Sequence, residues 1–294
     1  MNSSIGGFRS IPQSFWPGLF VLLWSTGFIG AKLGLPHADP FTFLLLRFVL
    51  VVILMTGLAW WFKASWPNKP IDILHIAIAG VLVHACYLGG VFSAIKAGLP
   101  AGVVALVTGL QPLLTAVAAG FVLKEQVTIR QWLGLALGFF GIALVVSPKI
   151  GGPTSDLSGF PAALIAVLAI TAGTLYQKKF CTAMDLRSGS VIQYVASLLV
   201  MAVIAPLSEP MHIEWTGSFL FALGWLTIVL SVGAITLLLA LIRAGAAAKV
   251  ASLFYLVPPT TAFIAFLVFD EPLTMAMLGG MVLTAGGVAL AAKK

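Results

Sequence analysis

Residues 97–122 read AGLPAGVVALVTGLQPLLTAVAAGFV, and residues 244–269 read AGAAAKVASLFYLVPPTTAFIAFLVF. At an offset of 147 the two stretches share Ala97/Ala244, Gly98/Gly245, Ala101/Ala248, Val103/Val250, Leu106/Leu253, Pro112/Pro259 and Ala118/Ala265. One residue fewer in the next span shifts the offset to 146. Glu125/Glu271, Thr128/Thr274, Gly134/Gly280, Leu137/Leu283, Gly141/Gly287, Ala143/Ala289 and Leu144/Leu290 then match in order. The same offset pairs Gly27 with Gly173 and Lys32 with Lys178, and it sets Arg47 opposite Gln193. The chain is written twice. If each copy holds an odd number of membrane spans, the second copy crosses the bilayer upside down, which is the inverted-repeat plan of secondary transporters.

Composition fixes the class. Hydrophobic residues make up 60% of the 294 and charged residues only 9%, with a mean hydropathy of +1.09. A soluble domain of that size needs far more surface charge. A transmembrane helix needs about 20 mainly apolar residues. Ten such stretches are centred near Leu23, Val52, Val83, Gly109, Phe139, Ala169, Leu198, Val229, Ala262 and Leu283. They are far longer than the alternating segments of an outer-membrane barrel. The expected architecture is an all-α integral membrane protein of ten transmembrane helices in two inverted five-helix repeats, residues 1–150 and 151–294, together one transport domain. The first apolar stretch follows Arg9 and has the look of a cleaved signal peptide, but its pairing with the sixth span argues that it is kept.

The net charge of +7 is explained by its distribution. With both termini cytoplasmic, twelve basic residues fall inside (Arg9, Lys63, Lys69, Lys124, Arg130, Lys178, Lys179, Arg187, Arg243, Lys249, Lys293 and Lys294) against Lys32, Lys96 and Lys149 outside. This bias predicts a multi-pass membrane protein with both ends in the cytoplasm. No nucleic-acid partner is expected. Cys86 and Cys181 are read as small apolar residues, not a disulfide.

Proline inside a span frees carbonyls, which is tolerated only where protein or a wet cavity satisfies them. Pro112 and Pro259 are such helix breaks at matched positions, and matched breaks point to a transport site. Polar and aromatic residues gather around them at helical spacing: His84 and Tyr87 on the third span, Thr108, Gln111 and Thr115 on the fourth, Ser252, Tyr255 and Pro259 on the ninth. Ser190, Gln193 and Ser197 make a face on the seventh span; Thr171, Thr174 and Gln177 make one on the sixth. Each single Ser or Thr also reads as a helix-to-helix hydrogen bond. Convergence of the stripes favours a cavity.

Arg47 is the strongly charged residue well inside a span, where insertion costs about 2.5–3.5 kcal/mol. It either snorkels and caps carbonyls or anchors a substrate carboxylate. Trp24, Tyr87 and Tyr255 suit stacking on an aromatic ligand, although Trp24 also fits plain helix packing. Trp60, Trp61 and Trp66 read as an interfacial belt. Gly134, Gly138 and Gly141 on the fifth span and Gly280, Thr284 and Gly287 on the tenth read as close packing or a dimer contact. The expected substrate-binding set is Trp24, Arg47, His84, Tyr87, Thr108, Gln111, Gln193, Ser252 and Tyr255.

The pattern AGLPAGVVAL, then Gln111-Pro112, then Lys124-Glu125, closing on GLALGFFG, returns in the second half as Val257-Pro258-Pro259, Asp270-Glu271-Pro272 and Gly279-Gly280. Over nearly the whole chain this resembles the EamA family of the drug/metabolite transporter superfamily. Its aromatic content and polar set look most like the bacterial aromatic amino-acid exporters of the YddG type. The resemblance implies export of small organic solutes, aromatic and related amino acids first among them, with other metabolites or cationic drugs as the alternative.

There is no phosphate-binding glycine loop and no paired metal ligands; His37, His75, His84 and His212 are scattered. No catalysis, metal or cofactor is expected, and the partners expected are a small-molecule substrate and the lipid bilayer, for a monomer or weak homodimer. A static channel-like bundle is the rival reading. It would show a continuous polar lining, whereas the stripes here cluster near mid-span. All nine acidic residues fall in loops or at span ends, so no deep carboxylate is expected to couple transport, and His84 is the candidate proton carrier.

Overall fold

The computed structural model describes residues 13–122, 128–146, 158–182, 184–234, 237 and 253–292. Their regular structure is helical, apart from one isolated antiparallel bridge between Ala38 and Ile213. Among the described residues, six helices are long and apolar enough to cross a membrane: Trp16–Gly34, Pro40–Trp61, Pro70–Lys96, Phe160–Phe180, Leu186–Ser208 and Gly217–Ala234. Shorter apolar helical stretches cover Ala101–Thr115, Ile129–Leu144, Val257–Phe269 and Met275–Gly287. The protein is a multi-pass helical membrane protein.

In chain order the first half gives α1 (Trp16–Gly34), α2 (Pro40–Trp61) and α3 (Pro70–Gly80), which continues through a π-helical segment (Val81–Cys86) into α4 (Tyr87–Lys96). Then come α5 (Ala101–Thr108), α6 (Gln111–Val122) and α7 (Ile129–Val146). The second half gives α8 (Phe160–Phe180), α9 (Leu186–Ser208) and α10 (Gly217–Gly224), which runs into a second π-helical segment (Trp225–Ala234). A 3-10 turn (Phe254–Leu256) leads into α11 (Val257–Phe269), and α12 (Met275–Ala292) follows. Proline opens α1, α2, α3, α8 and α11 in the first turn, where the missing N–H would have no intrahelical partner.

Helices pair across the two halves. The most extensive pair is α7 with α12, followed by α2 with α9, and α5 packs on α11. Further contacts come in twos: α3 and α4 against α8, matched by α1 against α10 and the second π segment; α6 against α8, matched by α1 against α11; the α3–α9 contact has no counterpart of similar extent. The α7–α12 seam is built of small residues. Gly141 faces Thr284 and Gly280, and Gly287 faces Gly134 and Leu137, so a Cβ at either glycine would collide with the opposite helix. The glycine stripes read from the sequence therefore meet each other within one chain.

Phe20, Phe43, Phe48, Phe92 and Phe219 are fully buried, with Phe43 edge-on to Phe92 at 5.3 Å between ring centroids. The exterior is apolar as well: Ile53, Leu207 and Met275 are among the most exposed side chains, as suits a surface facing lipid. Charges gather at two ends. At one, the Glu209 carboxylate accepts from the amides of Phe41 and Thr42 at the start of α2, and Lys96 Nζ reaches Asp39 at 3.1 Å. At the other, Asp185 caps α9 and accepts from the Ser65 amide, while Arg187 donates to the Phe62 carbonyl. The exposed Trp60, Trp61 and Trp66 surround that second end.

Candidate functional site

Two interrupted helices meet at the centre. Pro112 has no N–H to offer the carbonyl of Thr108, and its ring crowds that carbonyl, so the helix opens at Gly109 and Leu110 and restarts as α6. The discontinuity thus lies just upstream of the proline and not at it. The Thr108 hydroxyl turns back to the carbonyls of Val104 (2.9 Å) and Ala105 (3.2 Å), which further loosens the last turn of α5. In the second half, Pro258 and Pro259 likewise deny donors to the carbonyls of Phe254 and Tyr255, where the 3-10 turn stands. The breaks touch: a Cβ on Gly109 would sit 3.1 Å from Pro258 Cγ. Pro258 is buried and makes this contact, whereas Pro259, the repeat partner of Pro112, is exposed.

Beside the breaks lie two adjoining chambers. One, of about 140 Å³, is lined by Trp24, Arg47, His84, Tyr87, Tyr194 and Ser231 among others. The second, of about 200 Å³, is lined by Thr108, Gln111, Pro112, Thr174 and Phe254, together with Trp24 and Tyr87. Trp24, Phe28, Tyr87 and Ile170 belong to both and form the waist between them. Trp24 is held by edge-on contact with Phe254 at 5.1 Å and by Phe20 at 5.4 Å.

Part of the first chamber's wall comes from the two π-helical segments. Val83 and His84 project from the first, and Leu226, Leu230 and Ser231 from the second. Single π turns inside helices concentrate at functional sites because they re-aim side chains. The span carrying His84 and Tyr87 is gripped on either side of its π segment. Gly80 lies directly on the Gln193 backbone, and Gly90 on Ala162 and Ala166. Ser197 Oγ adds a hydrogen bond to the Gly80 carbonyl at 3.0 Å.

His84 stacks on Tyr194, with centroids 4.1 Å apart and planes 18° from parallel, and its Nε2 lies 3.4 Å from Gln193 Oε1. Gln193 Nε2 donates onward to Gln177 Oε1 at 3.0 Å. Gln193 thus stands behind His84 and is not a lining group. In the second chamber Gln111 Nε2 donates to Thr174 Oγ1 at 3.1 Å, leaving the Gln111 carbonyl oxygen as an acceptor. Arg47 is buried, at 6% exposure, and no hydrogen bond or ion pair engages its guanidinium among the described residues. The described acidic residues, Asp39, Asp72, Asp185, Glu209, Glu214, Asp270 and Glu271, all stand in connections, at caps or in a first turn, away from both chambers.

The structure therefore gathers Trp24, Arg47, His84, Tyr87, Thr108 and Gln111 around one space, with Gln193 in support. Ser252 lies outside the described residues, and for Tyr255 the backbone alone is described, in the 3-10 turn. Tyr194 was missing from the sequence reading, though Ser190, Tyr194 and Ser197 follow helical spacing on α9. Phe28 and Phe254 carried no polar signal.

Residues 15–147 match the family model described as the EamA-like transporter family. The chain is 25% identical to the uncharacterized transporter YvbV of Bacillus subtilis over 284 residues, 92% of this chain and 88% of that protein. It is 29% identical to a probable amino-acid metabolite efflux pump of Salmonella typhimurium over 189 residues, 64% of this chain and 59% of the pump's length. A solved crystal structure superposes with a TM-score of 0.64 over 95% of this chain and 96% of that one at 18% identity, a likeness of fold. The similarity to the EamA-like transporter family thus covers a little under half of the 294-residue chain.

Proposed function

We propose that this protein is a secondary transporter that exports small carboxylate-bearing solutes, aromatic and related amino acids foremost, by alternating access. The observation that carries it is the meeting of two helix breaks at Gly109 and Pro258 beside chambers that hold a buried arginine and an aromatic waist. Ten spans in two inverted repeats, residues 1–150 and 151–294, are the matching architecture. It is supported by the paired contacts, which map onto each other when the halves are exchanged. Both termini then face the cytoplasm of a bacterial inner membrane, and the working unit is a monomer or weak homodimer. The Salmonella relative's description as an amino-acid metabolite efflux pump agrees with this direction and cargo class.

In the proposed cycle the solute ring lies against Trp24 and Tyr87, its carboxylate on Arg47, with Gln111, Ser252 and Tyr255 completing the contacts around the breaks at Pro112 and Pro259. The two halves rock about that site. The test is counterflow in proteoliposomes, comparing aromatic amino acids with threonine, homoserine and cationic drugs. Tyr87→Ala removes stacking of roughly 0.5–1.5 kcal/mol beyond the area lost, so aromatic substrates should weaken several-fold more than threonine or homoserine. Equal losses for every substrate would place Tyr87 in the helix scaffold and overturn its role.

A further inference from the structure

Arg47 raises a question that the exporter reading leaves open: what balances its charge. The guanidinium is buried and unengaged among the described residues, with Nε shut away from any partner. A cation in that position is tolerated when it is paired or wet. The described residues offer it no anion, because their carboxylates stand at helix ends. The undescribed stretch 238–252, which precedes the 3-10 turn at the second chamber, contains no Asp or Glu in its sequence. Tyr87 and Tyr194 beside Arg47 bear phenol groups and not carboxylates, and His84 is engaged with Gln193.

An amino group entering the same space finds the opposite situation. An ammonium here meets a like charge and, among the described residues, no carboxylate. The oxygens open to it are neutral: the Ser231 and Thr108 hydroxyls donate to carbonyls of their own helices and offer only uncharged lone pairs. Desolvating an ammonium against neutral acceptors alone gains nothing over leaving it in water. We propose that the cargo's own carboxylate is the counter-ion of Arg47 and that its amino group is not recognised, so the cavity selects net-anionic, ring-bearing carboxylates at least as well as the corresponding amino acids. This rests on the exporter reading and sharpens its substrate class to organic acids: 2-hydroxy, 2-oxo and unsubstituted arylalkanoates alongside the zwitterions.

The test uses the unmodified full chain in nanodiscs, titrated by tryptophan fluorescence and checked by counterflow in proteoliposomes. The aromatic probes are phenylpropionate, phenylalanine, phenylalanine amide and phenethylamine; the aliphatic probes are isocaproate, leucine and isoamylamine. Phenylpropionate should bind as tightly as phenylalanine or tighter, and the amide and the amine should bind about tenfold or more weakly, the loss expected when a charge-assisted pair is removed. Phenylalanine binding about tenfold tighter than phenylpropionate overturns the proposal while leaving an exporter of aromatic amino acids standing. If the aromatic probes fail but isocaproate outcompetes isoamylamine, the aromatic reading falls and the charge rule survives. Amines binding as well as acids overturns the charge rule. Arg47→Lys should keep the acid-over-amine order and Arg47→Gln should erase it, with thermal melting confirming that both fold; persistence of the order in Arg47→Gln also overturns the proposal.

Discussion

Lys32, in the last turn of α1, is ion-paired with Glu271, just past the end of α11, and the pair bridges the two halves of the chain. The same carboxylate accepts the Ala101 amide at the start of α5 at 3.1 Å, and Lys32 Nζ sits 4.8 Å from the centre of the Phe269 ring. One buried acid thus ties α1, α5 and α11 together. Lys32 and Glu271 are the repeat counterparts of Lys178 and Glu125, the latter outside the described residues.

The two partners should respond unequally. The Glu271 side chain is 8% exposed and that of Lys32 is 30% exposed. Lys32→Gln strands a buried carboxylate and should cost on the order of 3–5 kcal/mol. Glu271→Gln leaves an ammonium that water reaches and an amide oxygen that still accepts from Ala101, so it should cost clearly less. Thermal melting of the two variants in one detergent reads the order. Glu271→Gln should also leave any pH dependence of transport unchanged, since this carboxylate serves the scaffold.

Asp185 supplies a prediction about acid stability. The Arg187 side chain and amide hold its carboxyl well below the usual carboxylate range, with Nη2 at 2.7 Å and Nε at 3.0 Å. A depressed pKa in the folded state means that the stabilisation is complete above the unfolded value of about 4 and is lost as pH falls toward the folded value. Asp185→Ala should lower stability by about 0.5–2 kcal/mol at neutral pH through the lost cap. Asp185→Asn keeps the cap and should cost less. The melting difference between wild type and either variant should shrink steadily below pH about 4.

Gln193→Leu should loosen His84. It removes the acceptor 3.4 Å from His84 Nε2 and the donor to Gln177, leaving buried polar groups unsatisfied at about 1–3 kcal/mol. Solute affinity should fall as well, although Gln193 does not line either chamber. Gln193→Glu, which keeps the acceptor facing His84 but loses the donor to Gln177, should retain the His84 contact better than Leu, and counterflow of the two variants against wild type distinguishes the cases.

Both termini should face the cytoplasm, given twelve basic residues on that side against three on the other. A reporter fused after Lys294 that is active only outside the cell refutes the orientation.

Helical class, the polar stripes and the glycine seam were legible because they are periodic: side chains three and four apart share a face. Arg47 was legible because a charge in an apolar run is conspicuous, Gln111 because it adjoins Pro112, and Trp24 and Tyr87 because they are aromatic rings with a polar tip inside apolar spans. Other features left no trace in composition. Nothing in VLVHAC or WLTIVLSVGA announces a π turn, since the wider turn is imposed by neighbouring helices and not by residue type. The break at Gly109 was displaced from Pro112 because a proline acts on the carbonyl four residues before it. Tyr194 was overshadowed by Gln193, whose amide is the more obvious polar group.

The grip of Gly80 on Gln193 and of Gly90 on Ala162 and Ala166 gives the span between them the mechanics of a lever on two bearings. Its working arm is the π segment, which carries His84 into the chamber, with Tyr87 one residue beyond. A methyl group at either bearing would spread the helices, at about 1–3 kcal/mol of overpacking, and swing both side chains away from Arg47 and Tyr194. Affinity can therefore be retuned from glycines that never meet the cargo, and a lineage can drift to new solutes while every residue facing the chamber stays the same.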